Sequence, residues 1–405
     1  MSANSIDEKP KHLNIKFENS FQFMLRAMDI SQFHPYTKKD IKWASKLLSL
    51  YLTCLAVICV IVYSIIFIDL KVKDITQACS NGVICFIFAV ITLHYSIMFY
   101  YQKLIVNMIE IMNNNYEKAE EYTVEEKHVI LEYVGKGKFI VLIWRRISLF
   151  GGGLFITRPI IVMVYYAVFS EFKPVHLYEM VYPSPIEELK DTFSVYCFLY
   201  IIFIIFTFCA MFTLHGFQPL GPIFMVHACG QLEVARTRIM KIFHDDNSVE
   251  EIIVKLKHIA VSLKNIYSFI DKIQTCFKIF YELILKTTIL VLPIVIFQIL
   301  GSFSNGELKI EFVSIVVGAI TMSSVPCYYS GMLMESGENL RLAIYSCSWE
   351  NRWDRTSRTL ILLLLLRTTP PVTIRTMFCR LSLDALADVF RQAYTIFNLL
   401  NAAYN

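Results

Sequence analysis

Six times along its 405 residues this chain runs for roughly 20 or more positions almost without charge, the length a helix needs to cross a bilayer. The runs fall at Leu47–Ile68, Ala78–Tyr101, Ile147–Phe169, Thr192–Phe217, Phe280–Gly301 and Phe312–Met334. Only 18% of the residues are charged and the mean hydropathy is +0.51, far above soluble averages. In hydrocarbon every backbone polar group must be satisfied within its own segment, so runs of this length read as helices. The expected class is an all-α, polytopic membrane protein.

The last stretch, Leu381 to Asn405, supplies a seventh span of a different kind. At helical spacing Leu386, Phe390, Ala393, Phe397 and Leu400 share an apolar face. The opposite face carries Asp388, Gln392, Thr395, Leu399 and Ala402, flanked by Asp384, Arg391 and Asn398. Charge at bilayer depth is costly, so a spanning helix must turn this stripe toward protein or water. Leu399 and Ala403 at its end form the kind of apolar ring that closes a pore by dewetting. The same pattern also fits an amphipathic helix on the membrane surface, or a core helix.

Lys and Arg counts between the runs alternate strictly, at 8, 2, 7, 2, 8, 1 and 7. Basic loops stay in the cytoplasm, so the N-terminus is expected inside and, with seven spans, the C-terminus outside. The basic leader without a signal-peptide pattern, and the absence of any Asn-x-Ser/Thr sequon, agree with this orientation. The alternation opposes a seven-span receptor of the G-protein-coupled kind, whose N-terminus is outside. The expected organisation is a leader over 1–46, four spans over 47–217, and a cytoplasmic helical segment over 218–279. Two spans follow over 280–334, then a cytoplasmic anchor over 335–380 and the last helix over 381–405. Eleven cysteines lie mostly inside the runs, so no disulfide framework is expected; Cys79 and Cys197 are the one pair to test.

Several features carry candidate function. The outer halves of spans two to four are rich in aromatic and soft residues (Phe86, Phe88, Phe155, Met163, Tyr165, Tyr166, Tyr196, Phe198, Tyr200 and Phe203). Such residues can line an apolar cavity or simply pack in lipid. Arg158, followed by Pro159, is a full charge inside a span; it can face a cavity, meet a partner, or bond carbonyls that the proline frees. The proline-bearing segment 170–191 can be a lid or a connector. Val249, Ile252, Leu256, Ile259, Leu263, Ile266 and Ile270 form a stripe that must bury, either within the monomer or in a bundle between subunits. Glu282 and Lys286, one turn apart, are expected to pair. The leader turns helical around Phe17–Met28 and either packs under the first span or lies on the membrane surface. Histidines show no metal-ligand spacing, and Walker, nucleophile-elbow and HExxH motifs are absent. The reading is therefore neither an enzyme nor a metal or cofactor protein, with no nucleic-acid partner. A secondary transporter would show internal repeats and broken spans in both halves, which the chain lacks.

The C-terminal third resembles the insect odorant receptors. The resemblance rests on Pro326–Cys327–Tyr328–Tyr329–Ser330–Gly331 and on Ala343–Ile344–Tyr345–Ser346–Cys347–Ser348–Trp349. Pro371–Val372–Thr373–Ile374, Leu381–Ser382–Leu383 and the terminal Tyr394–Thr395–Ile396–Phe397–Asn398–Leu399–Leu400 continue it, with Ile396 where tyrosine is common. The order Tyr394–Thr395 and the lack of a Gln-Phe ending set it apart from the related gustatory receptors, the alternative within the superfamily. The second cytoplasmic loop is shorter than the shared coreceptor's. The resemblance implies a ligand-tuning subunit of an odorant-gated, non-selective cation channel, multi-pass in the plasma membrane and tetrameric with the coreceptor. It further implies a pocket between spans two, three, four and six, for which Phe86, Val90, Phe155, Met163, Tyr196, Tyr200 and Ile320 are the candidates. Asp388, Gln392, Thr395, Leu399 and Ala403 are the implied pore residues, and Leu256, Leu263, Tyr345 and Trp349 the implied subunit anchor.

Overall fold

The computed structural model describes residues 15–69, 71, 75–169, 174–178, 182, 184–243, 247–304, 310–351 and 354–404. Among them the backbone is helical almost throughout, and one isolated antiparallel bridge joins Arg375 to Arg380. The helices are α1 (Gln22–Ile30), α2 (Ile41–Ser64), α3 (Ile75–Lys118), α4 (Val124–Phe169) and α5 (Phe193–Phe217). They continue with α6 (Leu220–Ile242), α7 (Val249–Ser304), α8 (Ile310–Tyr345), α9 (Arg355–Thr368) and α10 (Leu383–Tyr404). Six of these rods are long and apolar enough to cross a membrane, α5 and α6 counting as one. The seventh, α10, has 22 residues and falls short in hydropathy because of Asp384, Asp388 and Arg391.

Helix length explains the second half of the architecture. At 1.5 Å per residue, the 44, 46 and 56 residues of α3, α4 and α7 make rods of roughly 66 to 84 Å. That is more than twice the ~30 Å of hydrocarbon, so each apolar half runs on without a break into a polar half. The polar halves, 102–118, 124–146 and 249–279, gather on one side as a bundle. Capping boxes start two of these rods. Glu126 N donates to Thr123 Oγ1 at 3.4 Å, and Thr123 N to Glu126 Oε2 at 3.1 Å. Ser248 and Glu251 repeat the motif at 2.9 and 3.3 Å. Glu126 also takes the Arg238 guanidinium at 2.7 Å, tying the start of α4 to the end of α6.

The bundle is organised around α6. Every residue from His215 to Leu232 is buried, so this segment is enclosed on all sides and touches α4, α7 and α8 at once. Rings of Phe217, Phe224, Phe277, Phe280 and Tyr281 stack around it at centroid distances of 5.1 to 6.4 Å. Gly221 makes room for this contact: a Cβ there would overlap the Tyr281 hydroxyl. At the junction of α5 and α6, Gln218 Nε2 lies 3.1 Å from His94 Nε2 on α3, a buried polar link to the second span. The α6 segment falls within the stretch 218–279 expected as a helical segment, and its complete burial makes it the core of the bundle.

Several expectations acquire definite places. Of the stripe, Ile252, Leu256, Ile259, Leu263, Ile266 and Ile270 are buried against the chain's own helices, whereas Val249 at its start is 43% exposed. Leu256 at 0% and Leu263 at 1% exposure offer no surface to a second subunit, so they hold the bundle from within. Tyr345, at 68% exposure, does present a surface, and Trp349 is half-buried with its indole Nε1 donating to Tyr345 O at 3.1 Å. The leader buries Phe17, Phe21, Met24 and Met28, but it docks mainly on α5 rather than under the first span. Its seat is shaped by small residues, since a Cβ at Gly216 would press on Met28 and one at Gly137 on Phe21. Glu282 and Lys286 pair at 3.9 Å. All eleven cysteines are free, Cys79 and Cys197 included. The first 14 residues and the Ala403 side chain lie outside the described residues.

Leu263→Asp would bury a carboxylate among apolar side chains, at a cost of several kcal/mol. Val254→Asp on the exposed face of the same helix should be neutral. Size-exclusion profiles and surface labelling of the full receptor should show loss of folded, delivered protein for the first variant only.

Candidate functional site

Where the apolar halves of the helices diverge, they leave a partly open cavity of about 170 Å³. Each wall comes from one face of one helix. α3 supplies Val83, Phe86, Ile87 and Val90, and α4 supplies Ser148, Gly151, Gly152 and Phe155. Thr207 and Met211 come from α5, and Ser314, Ile315 and Met322 from α8. α7 adds Ile284, Thr287, Thr288 and Val291, spaced i, i+3, i+4 and i+7 on a single stripe. An engineered apolar cavity of ~150 Å³ takes up benzene, which sets the scale of molecule that fits.

None of the lining residues is a carboxylate, lysine, arginine or histidine. Four of the aliphatic hydroxyls are also satisfied within their own helices. Ser148 Oγ donates to Trp144 O at 2.7 Å, Thr288 Oγ1 to Ile284 O at 2.9 Å, and Ser314 Oγ to Glu311 O at 2.7 Å. Thr207 Oγ1 gives its one hydrogen to Phe203 O at 2.8 Å. The contact of 3.0 Å between Thr207 Oγ1 and the Tyr178 hydroxyl is therefore donated by the tyrosine. Burial pushes the Tyr178 phenol up to about 12, so it stays neutral and keeps that proton. Such a site can hold a small, neutral, largely apolar molecule, and it has no arrangement for acid–base or nucleophilic chemistry.

Tyr178 belongs to the segment between α4 and α5, not to a span. Its ring meets Phe155 at 5.7 Å and Phe203 at 5.2 Å, and its side chain is buried as part of the cavity wall. Tyr178 thus forms part of the cavity wall on the side of α4 and α5. Of the residues singled out from the sequence, Phe86, Val90 and Phe155 line this cavity. Met163, Tyr196 and Tyr200 sit together elsewhere, beneath the same segment. Tyr196 Oη donates to Val175 O at 3.0 Å and touches Met163 Sδ at 3.1 Å, and its ring stacks on Tyr200 at 5.6 Å. Ile320 stands beside the cavity residue Ala319 but is outside the lining and 39% exposed. Among the remaining aromatics, Phe88 stacks on Phe206 at 3.7 Å in the packed interior, while Tyr165 and Phe198 point away from the protein. The α7 wall and Tyr178 were not singled out. The spacing of Ile284, Thr287, Thr288 and Val291 is a legible stripe, but nothing in it distinguishes cavity from core.

On α10 the structure turns Leu386, Val389 and Ala393 inward, with Phe390, Phe397 and Leu400 half-buried. Asp388, Gln392, Thr395 and Leu399 are exposed, Leu399 at 66%, and Asp388 pairs with Arg391 at 2.9 Å.

Gly152 is the tightest point of the wall, because a Cβ there would overlap the Met211 thioether. Gly152→Ala should drive Met211 into the cavity and lower agonist sensitivity while leaving surface delivery intact. Phe155→Ala should shift agonist concentration dependence by about 10- to 100-fold, for a loss of ~1–3 kcal/mol of buried contact. Concentration–response curves alongside surface labelling separate these effects from misfolding.

Residues 74–394 match the family model described as 7tm Odorant receptor. A curated relative, odorant receptor 13a of Drosophila melanogaster, is 23% identical over 247 residues, 56% of this chain. The matched stretch spans 57% of that relative's length. The fold is similar to that of the insect olfactory receptor OR5 from Machilis hrabei in complex with eugenol. There the TM-score is 0.76 at 16% identity, over 95% of this chain and 98% of that one. OR5 without eugenol named gives a TM-score of 0.71, also at 16% identity, over 95% and 97% of the two chains. With the family model spanning most of the sequence and the fold matching end to end, the chain belongs to the 7tm odorant receptor family.

Proposed function

We propose that this chain is a ligand-tuning subunit of an odorant-gated, non-selective cation channel, assembled with the family's coreceptor in the plasma membrane. The observation that carries the ligand half of this reading is the apolar cavity without a charged lining residue, in a member of an odorant receptor family. A molecule of eugenol's kind, small and mostly apolar, suits its volume and its mostly satisfied hydroxyls. Phe86, Val90, Phe155, Tyr178 and Met211 would form the binding surface, with the stripe of α7 as a further wall. Met163, Tyr196 and Tyr200 would act on the covering segment instead.

The channel half rests on α10. A spanning helix with Asp388, Gln392, Thr395 and Leu399 on one exposed face needs water or another subunit against that face. In a tetramer the face would line a pore, with Leu399 as the apolar constriction and Asp388 drawing cations toward it. Exposed Tyr345 and the outward leucines Leu362, Leu363 and Leu366 would serve the subunit contacts. The N-terminus would be cytoplasmic, as the Lys and Arg counts require.

Co-expression with the coreceptor and current recording across a panel of small aromatic alcohols, esters and terpenes tests the reading; silence across the panel despite surface delivery would count against it. Glycosylation tags at the two termini test the orientation, with modification expected only at the C-terminus. Leu399→Ser should raise current in the absence of odorant, because a polar ring stays wet, whereas Leu400→Ser should impair assembly. Asp388→Asn should lower cation preference with odorant sensitivity near normal. The reverse pattern for the two leucines would mean that α10 is rotated differently in the assembly.

A further inference from the structure

Arg158 on α4 and Glu311 on α8 form an ion pair, Nη1 to Oε1 at 2.9 Å, between two different spans. The glutamate side chain is 6% exposed and the arginine 28%. Its position relative to the cavity follows from helical spacing. Arg158 lies one turn beyond Phe155 on α4, and Glu311 one turn beyond Ser314 on α8, both toward the side of the membrane away from the N-terminus. Phe155 and Ser314 are cavity walls, so the pair bridges the gap between α4 and α8 directly above the cavity. Tyr178 forms part of the neighbouring wall on the side of α4 and α5. Carboxylate and guanidinium attract strongly at this distance, the more so on the buried side of Glu311. Glu311 is further held by its place in the first turn of α8, where the helix dipole favours negative charge.

The backbone beneath this pair is loosened. Pro159 has no N–H to give the carbonyl of Phe155 four residues earlier, so α4 lacks a rung between its cavity wall and its ion-pair residue. That turn can flex without unwinding the rest of the rod. An apolar cavity with one tight electrostatic closure above a softened helical turn is arranged to admit and release its occupant at that point.

We propose that the Arg158–Glu311 ion pair is the outer closure of the ligand cavity, and that its opening sets how fast a small neutral ligand enters and leaves. The two residues are then positioning residues that govern ligand residence without touching ligand. This rests on the ligand-gated channel reading above.

The test uses the full receptor with the coreceptor, rapid exchange of the strongest agonist found in the odorant panel, and surface labelling of every variant. Arg158→Gln, Glu311→Gln and the gentler Arg158→Lys should reach the surface and show current decay after wash-out roughly 3- to 10-fold faster than wild type. Onset should quicken as well, so that the half-maximal concentration moves less than either rate. The charge swap R158E with E311R should bring decay back toward the wild-type rate. Delivered variants that decay at the wild-type rate would overturn the proposal, as would a swap that decays as fast as the single neutralisations. If none of the variants reached the surface, the pair would be a folding element and the proposal would fail. A wild-type receptor silent across the panel would instead sink the channel reading, so the two failures are distinguishable.

Discussion

Complete burial of the segment His215–Leu232 is the constraint from which the rest of the molecule follows. A helix with no exposed face must be surrounded, and α4, α7 and α8 surround this one. Their polar halves can be long because they have α6 to pack on. Each large apolar side chain buried there is worth about 1.5–3 kcal/mol. With the bundle locked at that end, the apolar halves of the same rods fan apart with no central helix between them, and the cavity is the space they leave.

The two ends of the molecule therefore obey opposite rules. Around α6, glycine and aromatic rings interlock, as Gly221 does with Tyr281, and any added atom is felt. Around the cavity the walls are methylenes and rings, with the hydroxyls of Ser148, Thr207, Thr288 and Ser314 satisfied by their own helices. Few fixed polar groups remain to demand one particular partner, which suits recognition by shape and volume. Gly152 beneath Met211 joins the two regimes, since a close-packed glycine there controls the cavity's size.

α3, α4, α7 and α8 are continuous rods that run from the cavity into the polar bundle. α10 packs mainly on α7, which also lines the cavity, so one rod touches both the ligand wall and the proposed pore helix. The Arg158–Glu311 pair lies at the far end of the same arrangement, where α4 and α8 would otherwise part.

Hydropathy and charge alternation alone determined the class, six of the spans and the orientation to test, since crossing a bilayer imposes length and composition on each segment separately. Periodicity also predicted which side of α10 is apolar and that the stripe from Val249 to Ile270 buries, which holds from Ile252 onward. Both are properties of a single helix and can be read along it. Other features depended on neighbours distant in the chain. That Leu256 and Leu263 face their own chain, that α6 is the core, and that Phe155 meets the cavity while Tyr196 meets Val175 all depend on how helices rotate against one another. Aromatic residues serve lipid, core and cavity equally well, so composition could not sort Phe86 from Phe88 two positions on. Arg158 was legible as an anomaly, but its partner was not, because Glu311 lies 153 residues away and only the crossing of α4 and α8 brings the charges together.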